Sequence, residues 1–212
     1  MPTADTGFDR VAAFYDPLAR LVFGDVLRRA QQAALAGLPA GRPRVLIIGG
    51  GSGWVLNEVL QQRPDARVLY LEASALMLAN SRETLQRAAP AHVSQVEFRL
   101  GTEQALHPTE SFDVIITFFF LDLFEPGRLR AITSCLNQAR RPAAPWLLAD
   151  FRPARTLWQR ALLKMMYGFF RLTTGISGRT MPDLHQELAT FGLRPRQQQL
   201  FLRGLVESTV FS

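Results

Sequence analysis

At 212 residues, with 48% hydrophobic and 20% charged residues, the chain has the composition of one well-packed globular domain; a disordered segment or a repeat array is excluded. The net charge of +6 and pI near 10.6 come from arginines scattered along the chain, with Lys164 the only lysine, so a solvated basic surface is expected and nucleic acid is not an expected partner. One cysteine, Cys135, excludes an internal disulfide and a Cys-rich zinc site.

In chain order, Met1 to Phe8 shows no basic-then-apolar leader, and a cytoplasmic location is the expectation. Arg10 to Ala36 reads as one or two helices ending near Gly37. The apolar run Val45 to Ile48 reads as a strand, Trp54 to Gln62 as a helix, Val68 to Leu71 as a second strand, and Ala75 to Ala88 as a helix capped by Ser74. A weaker strand, Val96 to Leu100, precedes a strong one, Val114 to Phe120, whose apolar run is far too short to span a bilayer. Leu129 to Ala139 is helical in period and Trp146 to Ala149 is a further strand. Arg155 to Phe170 reads as an inserted helix. Pro182 to Phe191 follows as a helix closed by Gly192, and Pro195 to Leu202 with Leu205 to Phe211 as a hairpin turning at Arg203-Gly204. Near-continuous apolar strands alternating with helices predict an α/β domain with a mostly parallel sheet, helices on both faces and an antiparallel C-terminal strand.

The sharpest constellation is Val45-Leu46-Ile47-Ile48-Gly49-Gly50-Gly51-Ser52-Gly53-Trp54, a strand running into glycines and then a helix. Such a loop lets backbone approach a ligand with no Cβ in the way, and the helix beyond presents oriented N–H groups. No lysine follows it, which excludes a P-loop. The dinucleotide spacing would need glycine where Trp54 or Leu56 stands. The spacing that fits is G-x-G-x-G through Gly49, Gly51 and Gly53, a nucleoside-binding loop. Glu72, at the end of the next strand, is placed to accept both ribose hydroxyls of a bound nucleoside.

With these residues the sequence resembles a class I S-adenosylmethionine-dependent methyltransferase, which has a Rossmann-like seven-stranded sheet. Val45 to Gly53 resembles that family's first motif, Arg99 to Glu103 its segment at the adenine edge, Ser111 to Ile116 its fourth strand and Leu147 to Phe151 its fifth. Phe8 to Ala12 with Tyr15-Asp16 is similar to the opening of quinone-biosynthesis C-methyltransferases, where this segment covers the cofactor. The resemblance implies S-adenosylmethionine as cofactor, held by Tyr15, Gly49, Gly50, Gly51, Gly53, Glu72, Ala73, Met77, Gly101, Thr102, Glu103 and Phe118. It departs from the family pattern at Ile47, where an acid is common, and at Thr102, where Asp is common.

The expected organisation is a single domain over residues 1–212, with cover helices over 1–40 and a helical acceptor lid over 152–192. Methyl transfer needs no metal and no covalent nucleophile; the protein aligns acceptor and methyl. Asp122, just past the fourth strand, and Tyr15 are the candidates for catalytic groups, with Asp16, Asp150 and Arg152 also at strand ends or in the cover. His92, His107 and His185 are read as surface histidines, and Cys135 as a small packed hydrophobe. The expected acceptor is small and largely apolar, of quinone, phenol or lipid type. The apolar residues of Leu157 to Phe170 cover more than one face, which fits an acceptor lid, the preferred reading, a homodimer contact or peripheral membrane contact. A non-catalytic ligand-binding member of the fold, or a nicotinamide-dependent reductase, stays open.

Overall fold

The computed structural model describes residues 23–164 and 182–212. The expectations placed on the N-terminal cover up to residue 22, including Tyr15, and on residues 165–181 lie outside the described residues. Seven strands form one sheet: β1 (Arg44–Ile48), β2 (Arg67–Glu72), β3 (Val96–Leu100), β4 (Val114–Phe118), β5 (Trp146–Phe151), β6 (Pro195–Phe201) and β7 (Val206–Phe211). Their order is β3-β2-β1-β4-β5-β7-β6. Only β7 runs against the rest, pairing antiparallel with β5 and with β6. The predicted architecture is the observed one.

The strands are apolar on both faces because both faces are covered. Val45 and Ile47 of β1 point into one cluster, and Leu46 and Ile48 into the other. The first cluster is closed by α1 (Val26–Leu35), α2 (Trp54–Gln62) and α3 (Ala75–Ala88). The second is closed by α4 (Pro126–Gln138) and α5 (Leu184–Ala189). On α4 the buried Leu129, Ile132 and Leu136 repeat at helical spacing, each contributing roughly 1.5–3 kcal/mol of apolar burial. The caps are local chemistry: Ser74 Oγ accepts from Met77 N–H at 3.1 Å, and Asp183 Oδ1 accepts from Gln186 N–H at 3.0 Å. Gly192 stands at φ +76° just beyond α5, as its predicted stop requires.

Among the boundaries that differ from the sequence reading, three have a local cause. β4 ends at Phe118 rather than Phe120, because Phe119 turns into the left-handed region (φ +51°). α4 begins at Pro126 rather than Leu129, since a proline at the first helical position costs no hydrogen bond. β5 runs on through Asp150 and Phe151, whose pairing with Glu207 and Val206 extends it. Residues 157–164 are helical, with Leu163 buried and Leu157 82% exposed. Among the described residues, no helix is long and apolar enough to cross a membrane.

Candidate functional site

The strand order reverses between β1 and β4, and a crevice opens beyond the carboxyl ends of such strands. The glycine loop lies at this point. Gly49, Gly51 and Gly53 have φ of +66°, +62° and +92°, values a side-chain-bearing residue rarely adopts. Three of the four loop glycines are also sealed by neighbours. A Cβ on Gly49 would lie 2.4 Å from the Phe120 ring, on Gly50 2.6 Å from the Tyr70 hydroxyl, and on Gly53 2.8 Å from the Ser81 Cα of α3. Gly51 differs: among the described residues, a Cβ there would meet nothing within 4 Å. The loop is thus packed from three sides and open at its middle.

Glu72 closes β2 beside this opening. It is 7% exposed, and its two oxygens accept from Gly51 N–H at 3.1 Å and from Ser74 N–H at 3.0 Å. Those bonds fix the carboxylate plane against the loop. Tyr70 was read only as an apolar strand residue, yet its hydroxyl donates to Gly51 O at 2.8 Å and its ring floors Gly50. The available signal was the hydroxyl itself, since a buried tyrosine needs a polar partner and the glycine loop is the nearest source of carbonyls. The adjoining strand ends are tied in: Gly49 N–H donates to Leu71 O at 3.0 Å, and Gly101 N–H to Glu72 O at 2.9 Å.

The structure therefore brings together Gly49, Gly50, Gly51, Gly53 and Glu72, with Ala73 next in the chain. Met77, 8% exposed on the first turn of α3, lies beside them through its bond to Ser74. Phe118 ends β4 across the crevice, buried in the first cluster. Gly101 and Thr102 follow β3, with Thr102 half-buried and extended ahead of the single turn Glu103–Ala105. Glu103 is directed elsewhere. Its carboxylate, 3% exposed, is held by both Arg128 amino groups, at 2.5 and 2.7 Å, on the first turn of α4.

Asp122 lies on the turn Leu121–Leu123, 3% exposed, against Asp150 at the end of β5. Burial first, and then Asp122, push the Asp150 carboxyl well above the usual carboxylate range. Of the histidines, His92 bonds Gln95, and His107 donates its backbone N–H to Glu110. His185 is not a lone surface histidine: its Nε2 lies 2.9 and 3.1 Å from the two oxygens of buried Glu207. Cys135 donates its thiol to Glu103 O at 3.4 Å, and burial pushes that thiol up.

Residues 46–145 match the family model described as a methyltransferase domain. No curated protein matches the chain. Among solved structures, the mitomycin 7-O-methyltransferase MmcR is similar with a TM-score of 0.70 and 21% identity, over 97% of this chain and 60% of that chain. An O-methyltransferase family 2 protein from Planctomyces limnophilus DSM 3776, in complex with apigenin, gives 0.69 and 16%, over 95% and 61%. The 1,6-didemethyltoxoflavin-N1-methyltransferase of Burkholderia thailandensis, solved with 1,6-didemethyltoxoflavin and S-adenosylhomocysteine, gives 0.68 and 18%, over 97% and 85%. The chain spans about 60% of the length of MmcR and of the Planctomyces protein. At these identities the likeness is one of fold. The chain has the Rossmann-like methyltransferase fold, and residues 46–145 carry the match to the methyltransferase domain.

Proposed function

We propose that this chain is an S-adenosylmethionine-dependent methyltransferase acting on a small, largely apolar acceptor of quinone, phenol or lipid type. The observation that carries the reading is the cradle at Gly51. It is open where its neighbours are sealed, and it lies beside a strand-end carboxylate aligned by two backbone N–H bonds. A nucleoside fits this donor set, because a carboxylate offers about four acceptor positions and a fixed Glu72 presents them to adjacent ribose hydroxyls. Gly51 and Gly53 let backbone approach the ligand, Met77 supplies an apolar wall, and Thr102 with Gly101 borders the far end.

When bound, S-adenosylmethionine supplies a methyl group activated on a sulfonium, so the bond broken is already polarised. The chain's own residues align and shield. Phe118, Phe119 and Phe120 bring apolar surface to the end of β4, which keeps water from the transfer. Asp122 lies past the same strand, placed to take a proton from an acceptor hydroxyl. Tyr15, in the same catalytic proposal, belongs to the N-terminal cover. Leu157 and Trp158, within the 152–192 segment, are exposed apolar residues, which supports its reading as an apolar lid over the acceptor. The match to the methyltransferase domain and the O- and N-methyltransferase neighbours support methylation of small molecules.

Calorimetric titration of the protein with S-adenosylmethionine tests the cofactor, with NADH and NADPH as controls and Glu72→Ala alongside. Binding that weakens at least tenfold in the variant supports the reading, since losing two ribose bonds to a charged acceptor costs on that order. A folded protein that binds no S-adenosylmethionine refutes it.

A further inference from the structure

Residues 155–164 and the β6–β7 turn present one surface, apolar at its centre and basic around it. The helix over 157–164 is anchored by a reciprocal cap: Thr156 N–H donates to Gln159 Oε1 at 3.2 Å, and Gln159 N–H to Thr156 Oγ1 at 3.5 Å. Arg155 N–H joins the same Gln159 oxygen at 2.8 Å, and Gln159 Nε2 donates to Arg203 O of the turn at 3.3 Å. Gln159 is 1% exposed and Leu163 7%, so these two, one helical turn apart, fix the side that faces the protein. Leu157, Ala161 and Lys164 then share the opposite side, with Trp158 and Arg160 on its flanks, and all five are exposed.

The charge around Leu157 and Trp158 is of one sign. Arg155, Arg160, Lys164 and Arg203 are exposed, and no acidic residue stands in the sequence between Asp150 and Asp183. Arg152 is spent on buried Glu207, at 3.5 Å; among the described residues, no acid pairs with the other four. β5 ends at Phe151, and β6, which runs parallel to it because both oppose β7, ends at Phe201. The helix and the turn therefore lie at the carboxyl edge of the sheet, the edge at which the crevice opens.

We propose that this surface docks on an anionic membrane. A bilayer answers both of its halves: Leu157 and the Trp158 ring enter the boundary between headgroups and acyl chains, while the four basic heads stay among lipid phosphates. A nucleic acid answers the charge but offers Leu157 no apolar medium, and a second copy of the chain sets like charge against like. The contact is peripheral, made by the outer side of one short helix, and is therefore reversible and sensitive to salt. It stands independently of the methyltransferase reading. Where that reading holds, docking turns the mouth of the crevice toward the bilayer, and an acceptor of lipid type reaches it without crossing water.

Co-sedimentation of the full chain with vesicles tests this, using phosphatidylcholine alone and phosphatidylcholine with an equal part of phosphatidylglycerol. The wild type should bind the anionic vesicles, leave the neutral ones, and lose binding in high salt. Arg155→Gln/Arg160→Gln/Lys164→Gln should weaken partition on the order of 100-fold, about fivefold for each charge near the surface. Leu157→Ser/Trp158→Ser should weaken it at least about tenfold. Arg42→Gln/Arg67→Gln/Arg196→Gln removes the same charge from exposed positions at the amino edge of the sheet, more than a Debye length away, and should bind nearly as wild type. All the substituted side chains are exposed, so urea midpoints should stay at the wild-type value and separate lost docking from lost folding. A wild type that does not sediment with anionic vesicles overturns the proposal, as does equal weakening by the two triple variants. Preference for a mixed-sequence single-stranded DNA over the vesicles, or a dimer that Leu157→Ser dissolves, overturns it by naming another occupant. Calorimetry with S-adenosylmethionine reads the proposed function separately, so the failure of either is distinguished from the failure of the other.

Discussion

Gly51 and Gly53 stand two residues apart in one loop, both in the left-handed region, yet a methyl group added to each has different consequences. At Gly51 the new Cβ meets nothing within 4 Å among the described residues, so Gly51→Ala carries backbone strain, roughly 1–2 kcal/mol. At Gly53 the Cβ lies 2.8 Å from Ser81 Cα and 2.9 Å from its Cβ. A helix backbone has no rotamer by which to yield, so overpacking of roughly 1–3 kcal/mol is added to the strain. Equilibrium urea unfolding should therefore show losses of about 1–2 kcal/mol for Gly51→Ala and about 2–5 kcal/mol for Gly53→Ala, at unchanged m-values. Ligand binding inverts the emphasis. The Gly51 methyl occupies the open side of the cradle, so affinity for S-adenosylmethionine should fall by at least about tenfold, more than its stability loss explains. Equal stability losses, or a Gly51→Ala protein that binds as tightly as wild type, would refute the reasoning.

Two pH predictions follow from ion pairs outside the crevice. Arg99 hydrogen-bonds Glu110 and holds its carboxyl down at about 2, against an ordinary 4.5. A lowered carboxylate stabilises above its unfolded value and loses that contribution as pH falls toward the folded one. Glu110→Gln should flatten the stability curve between pH 4.5 and about 2, read by urea midpoints at stepped pH; an unchanged acid limb would count against it. Glu207 raises His185 above its ordinary 6.5 by accepting its hydrogen bond. That stabilisation is fully present below 6.5 and is lost as pH rises through the folded value. A proton NMR titration should place the His185 midpoint above 6.5 and show His185→Gln flattening the neutral limb of stability; a midpoint at or below 6.5 contradicts the pairing.

The parts of the fold that were legible are those that local chemistry dictates. Continuous apolar runs marked β1, β2, β4 and β5 because strands buried on both faces admit little else. Ser74 announced its helix, and Gly192 the end of another. The glycine loop and Glu72 were legible as a pair because their spacing around β2 is a property of one βαβ unit. What stayed hidden needed contacts between distant segments. Nothing near Tyr70 in sequence says that its hydroxyl bonds the loop across a strand. Nothing near Glu103 says that Arg128 takes its carboxylate, in a residue that the family resemblance had made a ligand candidate. Asp150 was placed at a strand end without its bond from Leu121 N–H, since that contact depends on the turn at Phe119. An aromatic residue at positive φ carries no sequence mark, so β4 was read two residues too long.

The placement of β7 between β5 and β6 sets an order of events for folding. The strands β1 to β5 and their helices pair through crossovers within residues 44–151, whereas β5 finds its second partner only when 206–211 return across the whole insertion. Until then Trp146-Leu147-Leu148-Ala149-Asp150-Phe151 presents an unpaired, largely apolar edge, the kind of template that recruits strands from other molecules. Docking of the C-terminal hairpin is thus a late, non-local and slow step, and the period before it is when the chain is most exposed to aggregation. The hairpin bears the protective chemistry itself. Once docked, its outer strand Pro195–Phe201 offers solvent a proline, an arginine and three glutamines in place of the apolar edge it has covered.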